Sequence, residues 1–212
     1  FATCKAIFQG GGAKAIALIG ALAEANDRGV AFSQVAGVSA GSIIAALVGA
    51  GASGAEISVI ATETNFKSLL RTPKERVFAS NWAARFAASC FQAFPSPILR
   101  AMSALVKNGG VYSADEIEQW VDDQLRKLLG IAGRHVKFSD LIIPTTIIAT
   151  DLHSGTPKIW STETSKDEKV AFAVRCSCSI PVIFQPALVG QEYLVDGGVV
   201  SNLPVSLISQ SS

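Results

Sequence analysis

Apolar positions in the first fifty residues fall into short continuous blocks separated by longer periodic ones. Residues 4–9 (CKAIFQ) predict a short buried strand, and Ala13 to Arg28 a helix closed by Gly29. Ser33 to Val38 predicts a second strand, and an Ala-rich apolar helix follows from Ser39 to about Val48. Strand, helix, strand, helix in that order is the pattern of a parallel sheet with helices on its faces. Farther along, Leu141 to Thr150 (LIIPTTIIAT) predicts a strand ending in Asp151, with Lys158 to Trp160 as its partner. Glu192 to Val195 (EYLV) predicts another strand, which runs into Asp196-Gly197-Gly198.

Between these halves the pattern changes. Phe66, Phe78, Trp82, Phe86, Phe91 and Phe94 fall between Asn65 and Gly110, with Pro95 and Pro97 interrupting them. This composition predicts a helical insertion, spanning about residues 65–130, that serves either as a cap over a site or as ordinary helix packing. Residues 113–129 form its clearest helix. Ser113 and Glu116 have capping-box spacing, and Ile117, Trp120, Val121, Leu125, Leu128 and Leu129 line one face. Asp122–Arg126 and Asp123–Lys127 are spaced as acid-before-base pairs four apart, which gives this helix a structural reading. The most membrane-like stretch, Ile43 to Ile60, is broken by Gly49, Gly51 and SGAE, which predicts a core helix and not a membrane span.

The 212 residues suit one domain with an insertion, and no internal repeat is present. The chain starts with Phe and stops at Ser212, soon after SNLPV; the expectation is that C-terminal elements and the natural start lie outside it. Charged residues make up 17% against 49% hydrophobic, so a large buried interior is expected. A net charge of +1 carries no nucleic-acid footprint. Cys4, Cys90, Cys176 and Cys178 have neither zinc spacing nor CxxC and read as free thiols of a reducing compartment, and two distant histidines offer no metal centre. The expected location is cytoplasmic or at a membrane surface, with secretion left open.

Two glycine turns carry the chemistry. Gly10-Gly11-Gly12-Ala13-Lys14-Ala15 matches a dinucleotide fingerprint between strand and helix. The ribose-binding acid is missing, however: the second strand ends in FSQVAGVSAG, and Lys14 lies between alanines, unlike the lysine of a phosphate-binding Walker loop. What the second strand ends in is Gly37-Val38-Ser39-Ala40-Gly41, a G-x-S-x-G sequence at a strand-to-helix turn, where a nucleophile elbow places its serine. The alternative is a serine N-cap with glycines for helix packing. If Ser39 is a nucleophile, the amides of Gly11, Gly12 and Ala40 are candidates to hold an oxyanion beside it. A serine also needs a proton acceptor. No histidine follows Asp196; His135 and His153 read as surface and turn residues, leaving Asp151 and Asp196 at strand ends. A Ser–Asp pair fits better than a triad.

QGGGAKA, GVSAG and DGG, in that order and spacing, resemble the patatin-like phospholipase family, with support from IIATDLHSG and AVRCSCSIPVIFQP. The resemblance covers nearly the whole chain. It implies a three-layer α/β/α fold and a Ser–Asp dyad acting on lipid acyl esters. Motif by motif, it places the nucleophile at Ser39, the base at Asp196 and the oxyanion loop at Gly10 to Gly12 with Lys14 beside it. Gly37, Gly41, Gly197 and Gly198 are motif glycines, and Asp151 matches a position that is not catalytic. No metal or cofactor is implied, and the partner is a phospholipid or another acyl-ester lipid, with contact at a membrane surface. One departure stands out: Ala15 replaces the glycine that usually follows the loop's basic residue. A transacylase or thioesterase using the same site, and a silent lipid-binding module, are the competing readings.

Overall fold

The structure is a computed structural model in which residues 3–70, 110–203 and 205 are described. Cys90 and the aromatic positions from Phe78 to Phe94 lie outside these residues, so the expected insertion is seen only at its two ends.

The chain enters through β1 (Thr3–Phe8), a 3-10 turn over Gly12–Ala15 and α1 (Ile16–Asp27). The first helix was expected from Ala13, but its first turn is wound more tightly. β2 (Ala31–Val38), α2 (Ala40–Gly49) and α3 (Gly54–Glu63) follow. After β3 (Gly110–Tyr112) come α4 (Asp115–Leu129), β4 (Thr145–Asp151), β5 (Pro157–Ser161) and α5 (Val170–Ser177). The last strands are β6 (Val182–Phe184), β7 (Ala187–Val189) and β8 (Glu192–Asp196).

Among the described residues six strands form one mixed sheet, and β3 pairs with β6 in a separate small one. Parallel pairing joins β1 to β2 and β2 to β4; β5 and β8 run antiparallel to β4, and β7 antiparallel to β8. Four of the six strands (β1, β2, β4 and β7) therefore point the same way, as expected for an α/β fold. β4 organises the sheet. One of its edges is taken by β5, from Thr146 to Thr150. The opposite edge is shared, with β2 against Thr145 to Ile148 and β8 against Ala149 to Asp151. Val38 pairs with Ile148, and Asp196 pairs with the next residue, Ala149. Thus β2 and β8 meet end to end, carboxyl end against carboxyl end, and whatever leaves one strand faces whatever leaves the other.

β4 is buried over Thr145 to Thr150, so both faces of the sheet centre are covered. α2 is buried at eight positions, including Ile44 and Leu47, each contributing about 1.5–3 kcal/mol of burial. Ten residues rise only about 15 Å, half a bilayer core, so this apolar helix belongs to the interior. The SGAE sequence that interrupts the apolar stretch is itself a helix start: Ser53 and Glu56 form a capping box that opens α3. Among the described residues no helix is long and apolar enough to cross a membrane.

α4 buries Ile117, Val121 and Leu125 as its spacing predicts and ends at Gly130 with φ +65°. Ala114 takes the N-cap position with no side-chain capping bond, and Ser113 Oγ, one residue earlier, accepts from the Asp115 amide at 3.1 Å in place of the expected capping box. The expected pairing of Asp122 with Arg126 is not formed. Asp122 is buried and instead accepts from the Val136 amide at 3.0 Å and contacts His135 Nδ1 at 2.9 Å. Arg126 sits 3.9 Å from Asp123. A buried carboxylate takes partners from the tertiary structure before an exposed pairing four residues away.

Candidate active site

Ser39 occupies the turn between β2 and α2 with φ 54° and ψ −132°, a region that side chains other than glycine enter at a cost of about 1–3 kcal/mol. The flanking glycines make the turn geometrically possible. A Cβ on Gly37 would lie 2.3 Å from the Gly41 carbonyl oxygen, and one on Gly41 would lie 2.2 Å from that of Phe8. The strain is held by bonds to both backbone groups of Ser39. Its amide donates to Ser177 Oγ at 2.8 Å, and Ser177 in turn donates to the Ile148 carbonyl at 2.6 Å. Its carbonyl accepts from the Ser42 amide at 2.8 Å, from Ser42 Oγ at 2.6 Å and from Cys178 Sγ at 3.2 Å. Burial pushes the Cys178 thiol up to about 12, which keeps it a neutral donor. The serine-capping alternative is not what the turn does: the Ser39 side chain makes no capping bond to its helix.

Ser177 was not singled out by sequence. Ser177→Ala is expected to leave the buried Ser39 amide unpaired and to cost about 1–3 kcal/mol of stability, measured by urea unfolding. Unchanged stability would show that the elbow is held without it.

The Ser39 hydroxyl donates to Asp196 Oδ2 at 2.5 Å. Asp196 ends β8; its other oxygen accepts from the Gly198 amide at 2.7 Å, and its own amide donates to the Ser179 carbonyl at 2.9 Å. Ser39 is 5% exposed and Asp196 6%. Burial raises the Asp196 pKa above the ordinary carboxylate value, opposed by the bonds from Ser39 and Gly198. Asp151 lies in the opposite environment: the Ser154 hydroxyl and the His153 and Ser154 amides hold its exposed carboxylate below the usual range. His153 belongs to that turn and His135 to Asp122, so neither histidine bonds Ser39 or Asp196.

A folded carboxyl with a raised pKa binds its proton more tightly than the unfolded chain does. Its contribution to stability is fully present below the unfolded pKa and is lost as pH rises through the folded one. At neutral pH Asp196→Asn removes that cost and keeps an acceptor for Gly198 and a group facing Ser39. A higher Tm is expected by calorimetry, and a lower one would contradict this electrostatic reading.

The glycine loop lies alongside. A Cβ on Gly10 would stand 3.0 Å from Ser39 Cβ, so the loop's backbone touches the nucleophile candidate. The Gly10 amide donates to the Asn202 carbonyl at 3.4 Å, and Asn202 Nδ2 donates to the Gly10 carbonyl at 3.1 Å. No acceptor for the amides of Gly11, Gly12 and Ala40 is found among the described residues. Gly12 needs to be glycine for its φ of +53° and not for space. Lys14 is exposed, and its amide donates to the Gly11 carbonyl at 3.1 Å. Ala15 has right-handed φ −59° and ψ −19°, so the departure from glycine there costs the loop nothing. A Cβ on Gly197 would meet the Ile148 carbonyl at 2.3 Å, which fixes the turn after Asp196 against β4.

From Gly12 and Ala40 a cavity of about 530 Å³ runs inward, walled by Ile43, Ile44, Leu47, Ile57, Ile60 and Trp120. Its described lining is hydrocarbon or aromatic, matched to an alkyl chain.

The family model for patatin-like phospholipases matches residues 6–208. The uncharacterized protein YqhO of Bacillus subtilis is 34% identical over 96% of this chain and 66% of its own length. A probable lipid hydrolase, 463L of invertebrate iridescent virus 6, is 22% identical over 95% of this chain and 61% of its own. The chain thus spans under two thirds of these relatives. Among solved structures, VipD from Legionella pneumophila superposes with a TM-score of 0.62 at 19% identity, covering 95% of this chain and 47% of VipD. ExoU of Pseudomonas aeruginosa, solved with SpcU, does so at 0.57 and 23% identity, covering 84% and 38%. At these identities the two likenesses speak to fold alone.

Proposed function

Because the chain belongs to the patatin-like phospholipase family, we propose that it is a lipid acyl hydrolase of the phospholipase A or lysophospholipase type, working through Ser39 and Asp196. The observation that carries this reading is the 2.5 Å bond from the Ser39 hydroxyl to a buried carboxylate. Asp196 accepts the proton as Ser39 Oγ bonds to the ester carbonyl carbon. The carbon–oxygen bond to the alcohol then breaks, and the departing alkoxide takes the proton from Asp196. Water gives a proton to Asp196 as it adds to the acyl carbon, and the fatty acid leaves as Ser39 regains its hydrogen. No histidine is needed, because a carboxylate with a raised pKa is a better base than an exposed one.

The amides of Gly11, Gly12 and Ala40 stabilise the oxyanion, each such donor being worth about 3 kcal/mol of barrier. The Ser39 amide is committed to Ser177 and takes no part. The Gly10 amide is engaged by Asn202, which makes Gly10 a spacer against Ser39 and not a donor. Lys14 faces outward, toward where a phosphate head group would lie. The apolar cavity receives the acyl chain, where each buried methylene contributes about 0.8 kcal/mol.

The test is product analysis on phospholipid vesicles by mass spectrometry, with and without a lysophospholipid acceptor. Free fatty acid in both conditions supports hydrolysis, and acylated acceptor alone makes the protein a transacylase. No acyl release from vesicles or from acyl-CoA thioesters leaves the silent lipid-binding reading. The pH dependence is a second expectation. kcat/KM falls as pH drops through the Asp196 pKa, with its midpoint above the usual carboxylate value of about 4. An acid limb at or below that value would show that the ionising group is not this buried carboxyl.

A further inference from the structure

The glycine loop has no side chain of its own to hold it. Gly11 and Gly12 are exposed, and rotation of a peptide unit between two glycines meets little steric resistance. Asn202 supplies what the loop lacks. It grips Gly10 from both sides, its carbonyl taking the Gly10 amide and its side-chain Nδ2 donating to the Gly10 carbonyl. A trans peptide is planar, with its C=O and the next N–H pointing in opposite directions. Whatever fixes the Gly10 carbonyl therefore fixes the Gly11 N–H. We propose that Asn202 is a positioning residue that sets the Gly10–Gly11 peptide so that the Gly11 N–H stays directed away from Asn202 and available to the reacting oxygen. The proposal rests on the reading of Gly11 as an oxyanion donor.

The turn that carries the base also carries this clamp. After Asp196 the chain winds tightly, with Val200 and Ser201 amides donating to the Gly197 carbonyl at 3.3 and 3.1 Å. A Cβ on Gly198 would lie 3.0 Å from Asp196 Oδ1 and 3.1 Å from Asn202 Oδ1, so these groups share one small volume. The Ser39–Asp196 bond and the Gly10–Asn202 bonds thus join the same two regions of the molecule twice. The turn after β8 holds Asp196 against Ser39 and Asn202 against the glycine loop. Asn202 itself is exposed and contributes nothing to the core, so its replacement leaves the fold intact.

The experiment compares Asn202→Ala and Asn202→Asp with the wild type on a p-nitrophenyl acyl ester, alongside Tm. Asp has the size of Asn but cannot donate to the Gly10 carbonyl. Both variants are expected to lose about 10- to 100-fold in kcat, with KM and Tm close to wild type, Asp losing at least as much as Ala. Wild-type kcat in either variant overturns the clamp, and so does a loss that appears in KM or follows a fall in Tm. A wild type without Ser39-dependent turnover defeats the reading of the site itself, and the clamp with it.

Discussion

Ser39→Ala and Asp196→Asn each lower kcat for acyl-ester hydrolysis by about 1,000-fold or more, with KM little changed. The first removes the atom proposed to become acylated. The second leaves the hydroxyl in place beside a neutral amide that cannot take its proton. The apolar cavity proposed to take the acyl chain is lined by other residues, so substrate affinity is expected to survive both changes. Because the two groups act as one unit, the double variant is no slower than the slower single variant. Steady-state kinetics on a soluble ester reads all four proteins. Asp196→Asn retaining a tenth or more of wild-type kcat would move the base elsewhere. The opposite directions expected for Asp196→Asn, lower activity and higher Tm, separate a damaged site from a damaged fold.

The largest effect on stability is expected at Gly41. Its missing Cβ would stand 2.2 Å from the Phe8 carbonyl oxygen and 2.6 Å from that of Gln9. Both are backbone atoms at the end of β1, so no side chain can move aside. Gly41→Ala must push β1 from the start of α2, and the glycine loop that follows β1 moves with it. A loss of about 3 kcal/mol or more is expected from urea unfolding, together with loss of activity. Gly12→Ala is the control. Among the described residues no neighbouring atom lies within 4 Å of its Cβ position, and the φ of +53° opposes alanine at a cost of about 1–2 kcal/mol. Equal destabilisation by the two would show that conformation, not close approach, governs these glycines.

β1, β2, β4, β5, β8 and the elbow are legible in the sequence because local rules govern them, whereas β3, β6 and β7, three residues each, are too short to leave a pattern. IIAT is apolar enough to be a buried strand wherever it lies, and a G-x-S-x-G turn needs its glycines on steric grounds. The residues alone leave Asp151 and Asp196 open as strand-end carboxylates, and the family resemblance chooses Asp196. The meeting of β2 and β8 on one edge of β4 is not legible, since the choice of strand partner leaves no mark in a local pattern. For the same reason the roles of Ser177 and Asn202 leave no mark in the sequence: their partners lie 138 and 192 positions away. Asp122 was misread by a helix-surface rule, which assumes exposure that the tertiary structure removed. The apolar cavity draws its described walls from four helices, two 3-10 turns and β6, and no single segment carries its outline.

The claim that a buried aspartate activates Ser39 without histidine is tested most directly by fluorophosphonate labelling followed by peptide mass spectrometry. A single adduct on Ser39 is expected in the folded protein, forming more slowly as pH falls through the raised Asp196 pKa and about 100-fold or more slower in Asp196→Asn. An adduct forming in Asp196→Asn at the wild-type rate, or no adduct on Ser39 in a folded wild-type chain, would contradict that claim.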